Sequence, residues 1–298
     1  FNIDGVQVAR ASIRRMGDFD IAGVEVLKGP QALFFGKNSP GGGVSLRTAD
    51  PGSSAEIIVR AGYEFEARER RGEMILSGPL SDTFGVRLAG LYAKSDGFFH
   101  NDAVATPGKG GLDPRSRRYS PSRNYILRGT AVWKPDTSFD ARLKVNLAND
   151  RTNGNADPQY ASCPDGVGPG PAGTNFFGSR QDCKLDRHVN VVDLDPASFP
   201  GIIHGGVPFA DIHHNFGSLE LNFRPGGDLT LTSVTGYSRN NGDLLASGTV
   251  GGAAGSALSA SNSFGRRDVT QEVRLNSDYR TSPFNFSLGG FHHDGRIR

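Results

Sequence analysis

Nine residues near the middle of the chain alternate strictly between apolar and polar side chains: Phe139-Asp140-Ala141-Arg142-Leu143-Lys144-Val145-Asn146-Leu147. Successive side chains of a β-strand point to opposite faces, so this segment predicts a strand with one apolar face and one polar face. The polar face holds two cations, Arg142 and Lys144, which must stay hydrated or paired. The fold therefore depends on what the apolar face contacts and what the polar face contacts.

The same alternation recurs along most of the chain. Clear examples are the ranges 57–65, 84–92, 219–223, 269–275 and 284–288. Weaker examples are the ranges 72–80, 124–133 and 229–240. Together with 139–147 these segments predict about nine antiparallel strands, each with one wet face.

A soluble antiparallel sandwich and a membrane barrel both have such strands, but their connections differ. The short connections predicted here are Ser81–Thr83, Lys134–Ser138, Pro225–Asp228 and Asn276–Ser282. The long ones are 97–123, 151–213 and 241–267, and a tight hairpin at Arg68–Gly72 is the exception on their side. Short turns at one rim and long loops at the other are typical of an outer-membrane barrel.

Strand length and aromatic placement favour the same architecture. The segments run about 10–14 residues, beyond the usual 5–6 of a soluble sheet. Aromatic side chains sit near their ends, where interfacial girdles lie: Phe65, Phe84, Tyr92, Trp133, Phe223, Tyr237 and Phe284. We expect an all-β membrane barrel. Since bacterial barrels have even strand numbers, further strands are expected beyond Arg298.

In a barrel the polar faces line the lumen. A lipid-facing arginine would cost about 2–4 kcal/mol at the bilayer midplane, which fixes the sense of the alternation. The lumen-facing charges predicted in this way are Arg87, Arg142, Lys144, Glu220, Glu272 and Arg274.

Composition limits the other possibilities. The 298 residues have a formal net charge of +2, which gives no reason to expect nucleic acid as a partner. The sequence contains no run of 18 apolar residues, so it predicts no membrane-spanning helix. Cys163 and Cys183 lie in one loop-like region, which suits a disulfide in an oxidising compartment, with two free thiols as the alternative. The start at Phe1 and the stop at Arg298 suggest a piece of a longer protein.

The first fifty residues follow a different pattern. Short strand-like segments at Phe1–Val8, Gly23–Leu27 and Val44–Thr48 surround glycine-rich turns. They predict a small mixed domain at 1–50, a turn-rich linker at 51–55, and the barrel portion at 56–298.

Two phrases in this region resemble the plug domain of TonB-dependent outer-membrane receptors. They are Phe-Asn-Ile-Asp-Gly-Val at 1–6 and Val-Glu-Val-Leu-Lys-Gly-Pro-Gln-Ala-Leu-Phe-Phe-Gly-Lys-Asn-Ser-Pro-Gly-Gly at 24–42. The plug-motif residues are Glu25, Lys28, Gly29, Pro30, Gly36, Asn38, Gly41 and Gly42. The phrases Ser-Gly-Pro-Leu-Ser-Asp at 77–82 and Gln-Glu-Val-Arg-Leu at 271–275 are similar to barrel strands of that family.

The resemblance implies the C-terminal part of a plug followed by the first part of a 22-stranded barrel in the bacterial outer membrane. It implies TonB as the partner, acting through an N-terminal segment that this sequence does not include. It also implies contact with outer-membrane lipid and lipopolysaccharide. The sequence departs from the family at Lys28, where arginine is more frequent.

A plug inside a polar lumen must be held yet stay movable, which favours charged contacts. We hypothesise that Glu25 and Lys28 contact inward barrel charges such as Glu272, Arg274 or Glu220, with ordinary solvated strand charges as the alternative. The plug glycines are expected to serve tight turns and close packing.

Other motifs do not indicate an enzyme. Gly36-Lys37 lacks the spacing of a phosphate-binding loop, because position 31 is Gln and position 38 is Asn. The pairs His213-His214 and His292-His293 point to opposite faces of a strand and cannot chelate a metal by themselves. No catalytic constellation is evident, and no cofactor or metal site is expected.

Three functions stay open at this point. The first is TonB-dependent uptake of a ferric siderophore, the second is the same transport with cobalamin, haem or an oligosaccharide, and the third is a soluble β-rich carbohydrate-binding protein. Loop residues that suit an anionic or aromatic chelate are Phe98, Phe99, Arg117, Arg118, Tyr119 and Tyr160.

Overall fold

The computed structural model describes residues 1–8, 19–29, 42–154, 184–226, 228–247 and 259–298. Their regular structure consists almost entirely of β-strands, which form two principal sheets and two small ones. No helix in these residues is long and apolar enough to cross a membrane.

A four-stranded sheet lies in the N-terminal region. Its strands are β1 (Asn2–Ile3), β2 (Val6–Gln7), β3 (Ile21–Lys28) and β4 (Gly42–Thr48), in the order β2-β1-β4-β3. The hairpin between β1 and β2 turns at Asp4-Gly5, whose φ angles of 49° and 81° are both positive. That is the requirement of a type I′ turn, which Asp-Gly fulfils.

The second sheet has nine strands, each antiparallel to its neighbours and in sequence order. The strands are β5 (Glu56–Glu64), β6 (Glu69–Ser81), β7 (Phe84–Ser95), β11 (Ser122–Trp133), β12 (Phe139–Asn153), β15 (Phe209–Gly226), β16 (Leu229–Ser247), β17 (Ser259–Ser277) and β18 (Ser287–Ile297). The prediction of nine antiparallel strands is confirmed.

Connections of alternating length join these strands. Short turns follow β6, β11, β15 and β17, and long connections follow β7, β12 and β16. Within the long connections, β8 (Phe99–Asn101) pairs with β10 (Arg118–Tyr119) and β13 (His188–Val189), and β9 (Gly111–Leu112) pairs with β14 (Asp193–Leu194).

The strands differ from the expectation in three details. The first hairpin turns before Glu69, so β6 includes residues that the sequence had placed in the turn. The last strand, predicted at 284–288, begins at Ser287. Four strands are longer than the expected 10–14 residues: β12 has 15, β15 has 18, and β16 and β17 have 19 each. Backbone pairing continues beyond the amphipathic segment, because polar backbone groups remain satisfied there by the neighbouring strand.

The two faces of the nine-stranded sheet meet different surroundings. On the outer face Leu88, Leu127 and Leu143 are each about half exposed, whereas the inward Lys144 is 0% exposed. Three outward polar side chains on β16 and β17 satisfy one another: Thr235 donates to Gln271, and Gln271 donates to Ser233. The inner face packs against the four-stranded sheet, so the small domain fills the concave side.

Spin labels can test this assignment of the faces. We expect a nitroxide at Leu127→Cys or Val273→Cys to be relaxed by oxygen, which partitions into hydrocarbon. A nitroxide at Glu272→Cys, adjacent to Val273 on the opposite face, is expected to be relaxed by a water-soluble nickel chelate. Continuous-wave power saturation of the full-length protein in bilayers measures both. Equal nickel accessibility at positions 272 and 273 would contradict the assignment.

Candidate functional site

The principal candidate site is the contact between the small N-terminal domain and the inner face of the barrel sheet. At its centre is Lys144 on β12, whose side chain is 1% exposed. Its Nζ lies 3.0 Å from Asp4 Oδ1 and donates to the Thr48 carbonyl oxygen at 2.8 Å and to Thr48 Oγ1 at 3.0 Å. The buried ammonium group of Lys144, on the inward face of β12, therefore has partners in both Asp4 and Thr48.

Local structure explains why Asp4 and Thr48 meet there. Asp4 occupies the tip of the Asp-Gly hairpin, and Thr48 ends β4, which runs parallel to β1. Thr48 donates from its backbone N–H to Asp4 Oδ1 at 2.9 Å and from its hydroxyl to Asp4 Oδ2 at 2.8 Å. Thr48 thus donates to both carboxylate oxygens of Asp4 and holds them in position. The oriented carboxylate is a preformed binding site for the cation of Lys144.

A second carboxylate extends the network toward the barrel wall. Asp50 lies 3.0 Å from Lys144 Nζ and 3.0 Å from Arg142 Nε. Arg142 also pairs with Glu220 on the neighbouring strand at 3.1 Å. These groups border a cavity of about 130 Å³ between the two sheets, whose charged lining residues are Asp4, Glu25, Arg47, Arg142, Lys144 and Glu220.

Two arginines form a separate cluster around Asp20, just before β3. Arg87 holds the Asp20 carboxylate through two nitrogens, with Nη2 at 2.6 Å and Nε at 3.0 Å, and reaches Glu56 at 3.4 Å. Arg128 donates to the backbone carbonyls of Phe19 and Asp20 and to Asn146. A planar guanidinium suits such bidentate and multiple contacts.

The interface also has an apolar patch. Ile3, Val6 and Leu46 of the small domain pack against Phe216 and other inward residues of the barrel sheet. A Cβ atom at Gly236 would lie 2.4 Å from a Val6 methyl carbon, so the backbone of β16 must stay bare for the hairpin to dock. A small hydrophobic contact therefore accompanies the ion pairs at this interface.

The plug-motif residues are only partly described. Pro30, Gly36, Asn38 and Gly41 lie outside the described residues. Gly42 opens β4 with φ 128°, and a Cβ there would lie 2.2 Å from the Leu27 carbonyl oxygen. Gly29 has φ 82° at the end of β3. Both positions therefore need glycine for backbone reasons.

The hypothesis for Glu25 and Lys28 stays a prediction. Glu25 borders the cavity that Arg142, Lys144 and Glu220 also line. The inward charges that it was expected to meet pair with other barrel residues: Glu220 with Arg142, and Glu272 with Arg274 at 3.0 Å.

Most loop residues proposed as ligand contacts take part in loop packing. Arg117 donates to the carbonyls of Asn101 and Ala103, and Arg118 donates to those of Glu66 and Gly97. Their role toward a ligand stays a prediction.

The neighbouring aromatic side chains differ in exposure. Tyr119 is buried against Val189 and Val191, with Phe99 packed beside them. Phe98 is 44% exposed and lies under the Arg187 guanidinium at 5.5 Å. Tyr160, Cys163 and Cys183 lie outside the described residues.

One buried amide joins the two long connections. Asn101 is 2% exposed, and its Nδ2 donates to the Val191 carbonyl at 2.7 Å while its Oδ1 accepts from the Val191 N–H at 3.0 Å. This reciprocal pair mimics a β-ladder contact. It fixes the loop after β7 to the loop after β12, so that the loops form one layer.

The histidine pairs have unrelated surroundings. His214 is buried and its Nδ1 lies 2.6 Å from Asn240 Oδ1, whereas His213 is half exposed beside Asp211. His293 lies 2.8 Å from Asp268 Oδ1. In the described part of the chain no three metal-ligating side chains come together.

Sequence reasoning identified the cations of the ionic contact, which lie on the nine-stranded sheet, and missed their carboxylate partners. Arg87, Arg142 and Lys144 were expected to face inward, but their partners Asp4, Asp20 and Asp50 were not singled out. The Asp-Gly turn signal was present at Asp4. It indicated a hairpin and gave no hint that the carboxylate binds a residue 140 positions away.

Comparison with known proteins finds similar sequences and similar folds. No family model matches the chain. The pesticin receptors of Yersinia pestis and Yersinia enterocolitica are 30% identical over 175 residues, which is 55% of this chain and 26% of the relative.

Solved structures match nearly the whole chain. The ferric yersiniabactin uptake receptor FyuA from Yersinia pestis has a TM-score of 0.66 at 16% identity, covering 93% of this chain and 36% of its own. The siderophore receptor PiuA from Acinetobacter baumannii has a TM-score of 0.69 at 15% identity, covering 99% and 38%. The ferric-catecholate import receptor Fiu from E. coli in its open form has a TM-score of 0.68 at 17% identity, covering 99% and 42%.

The chain shares the β-sheet fold of these outer-membrane receptors, and part of its sequence is similar to the pesticin receptors. The chain spans about a quarter of the length of the pesticin receptors that it matches.

The loop layer of the receptor should respond to pH through Asp193. Asp193 is 7% exposed and accepts the Arg115 N–H at 3.0 Å, and burial raises the pKa of its carboxyl above the ordinary 3.8. The folded loops thus bind the proton more tightly than unfolded loops, so loop stability should fall as pH rises through the raised value. Asp193→Asn should remove this slope.

Hydrogen exchange at the loop amides measures the effect as the ratio of protection in the wild type to that in Asp193→Asn at each pH. Taking the ratio cancels the intrinsic pH dependence of exchange. A ratio that stays flat, or that rises with pH, would show that burial does not control this carboxyl.

Proposed function

We propose that this chain is the plug-and-barrel portion of a receptor that takes up a ferric siderophore across the outer membrane with energy supplied through TonB. The observation that supports this best is the seated plug hairpin, whose Asp4 carboxylate binds Lys144 on the barrel wall. The related proteins named for ferric yersiniabactin, ferric catecholates and siderophores favour an iron chelate as cargo. In this proposal residues 1–50 are plug, 51–55 are linker and 56–298 are barrel.

The interface chemistry suits a plug that is held and then moved. Breaking a buried ion pair by removing one partner costs about 3–5 kcal/mol, because the remaining charge stays buried. If the plug moves into a wet lumen, both charges regain water as they separate. The contact therefore holds the resting plug without making its displacement prohibitive.

The two ionic clusters lie at different points of the plug. The Lys144 cluster binds the β1–β2 hairpin and the end of β4, and the Arg87 cluster binds the start of β3 at Asp20. The plug is therefore held to the barrel wall at two separate points.

The outer loop layer supplies the proposed ligand face. Phe98, stacked beneath Arg187, presents an aromatic ring and a cation together. Such a pair fits a chelate that is both aromatic and anionic. The buried Asn101 contact keeps this face in place when no ligand is bound.

Transport of iron by cells that express the full receptor tests the proposal. In a strain that lacks its own siderophore receptors, we expect uptake of radioactive iron from a ferric siderophore to depend on both the receptor and TonB. The variant Phe98→Ala should weaken uptake by about tenfold at limiting chelate, equivalent to about 1.4 kcal/mol of binding. Phe65→Ala, another exposed aromatic in a hairpin on the same side, is the matched control and should leave uptake unchanged.

Two outcomes would contradict the proposal. Uptake that persists without TonB would exclude the energised mechanism. If cobalamin, haem or an oligosaccharide is taken up in a TonB-dependent way and no tested ferric siderophore is taken up, the transport mechanism would stand and the proposed siderophore cargo would be excluded.

A further inference from the structure

The outer face of the nine-stranded sheet changes from apolar to polar along one rung of the β-ladder. Strand by strand from β12 to β18, the directly paired residues on this rung are Leu143, Leu219, Thr235, Gln271 and His292. Residues opposite one another in a sheet lie on the same face, so all five side chains point outward with Leu143. The outward face is therefore apolar on β12 and β15 and polar on the next three strands.

Polar side chains also occupy two neighbouring outward positions of these three strands. Ser233 lies two residues before Thr235 on β16, and Asp294 lies two residues after His292 on β18. Val269 and Val273 flank Gln271 on β17. We refer to Ser233, Thr235, Gln271, His292 and Asp294 as the polar strip.

The polar strip lies at the depth of the hydrocarbon core in the proposed membrane placement. Gln271 lies six residues before Ser277, where β17 ends, and His292 lies five residues after Ser287, where β18 begins. Six residues extend about 20 Å along a strand, or about 15 Å in height at a tilt of about 40°. Because the apolar band of a barrel is about 25 Å tall, these side chains lie near its middle.

Other strands carry apolar side chains at a similar distance from their short turns. Leu127 lies six residues before the end of β11, and Leu88 lies four residues after the start of β7. Both leucines are about half exposed on the outer face. Since lipid tails cannot hydrate a polar side chain, a polar surface at this depth is costly unless a protein covers it.

The polar strip satisfies only some of its own groups. Thr235 donates to Gln271 at 2.6 Å, and Gln271 donates to Ser233 at 2.9 Å. In the described part of the chain, no side-chain hydrogen bond or ion pair includes His292. Asp294 lies 3.6 Å from Arg296, and its side chain remains 45% exposed. The strip therefore has an imidazole and a carboxylate that a second protein surface could contact.

We propose that the polar strip is the contact surface between two copies of this receptor in the membrane. A two-fold axis along the membrane normal brings equal depths of two copies together, so the surface must be complementary to itself. Asp294 and Arg296 carry opposite charges one outward position apart, so each copy offers a carboxylate to the arginine of the other. Hydroxyl, amide and imidazole groups both donate and accept hydrogen bonds, which suits contact with an identical surface.

This inference rests on the membrane placement in the proposed function and does not depend on the transported cargo. The number of receptors in a complex is counted without any transport step. A failure of the dimer is therefore distinguishable from a failure of the proposed uptake.

Photo-cross-linking of the full-length receptor in native outer membranes tests the contact. We expect p-benzoylphenylalanine at position 271 to give a receptor–receptor adduct, identified by mass spectrometry. Leu143 is the matched control, because it lies outward on the same rung and on an apolar strand. The yield of the adduct should be at least about fivefold lower with the photoreactive residue at position 143.

Removing the polar groups gives an independent test. The variant T235V/Q271L/H292L places apolar side chains toward lipid, so the single receptor should stay folded while the dimer is lost. We expect the dimer fraction, counted by single-molecule photobleaching in bilayers at equal receptor density, to fall at least about fivefold. The control variant L88V/L127V/L143V should keep the dimer fraction of the wild type.

Three results would each overturn the proposal. The first is a wild-type receptor that is monomeric in bilayers, and the second is an equal adduct yield at positions 143 and 271. The third is an adduct at position 271 that contains a different protein and no second receptor.

Discussion

The ammonium group of Lys144 joins the two sheets of this receptor. A buried cation is tolerated only when charge and hydrogen bonds replace its hydration. The nine-stranded sheet supplies the lysine, and the N-terminal sheet supplies Asp4 and both oxygens of Thr48. Neither sheet satisfies these groups alone, so the two sheets depend on each other at this point.

This requirement also determines which face of each barrel strand points inward. Lys144 faces the plug only if Leu143 and Val145 face outward, and the pairing register then orients every neighbouring strand. One register thus produces a polar inner face against the N-terminal sheet and an outer face with exposed apolar side chains.

The amphipathic period of two made much of the fold predictable. It indicated nine strands, their inward charges and the alternation of short and long connections, because these features depend on neighbouring residues. The partners of Lys144 and Arg87 could not be predicted, since Asp4 and Asp20 are far away in sequence and reach the wall only through the plug fold. The loop layer was missed for a similar reason: its strands of two or three residues are too short to show a period, and Tyr119 and Arg117 resemble ligand contacts until their packing is known.

The most direct test is a double-mutant cycle between Asp4 and Lys144, with plug unseating in the full receptor followed in denaturant. Lys144→Gln should destabilise the seated plug by about 3–5 kcal/mol, because it leaves the buried Asp4 carboxylate without a cation. Asp4→Asn should cost less, because Asp50 still pairs with Lys144. The double variant should cost little more than Lys144→Gln alone, because it leaves neither Asp4 nor Lys144 as an unpaired charge. The exposed pair Arg60–Glu73 on the barrel is the control, with an expected coupling below about 1 kcal/mol. Additive effects at positions 4 and 144 would contradict the claim that this ion pair seats the plug.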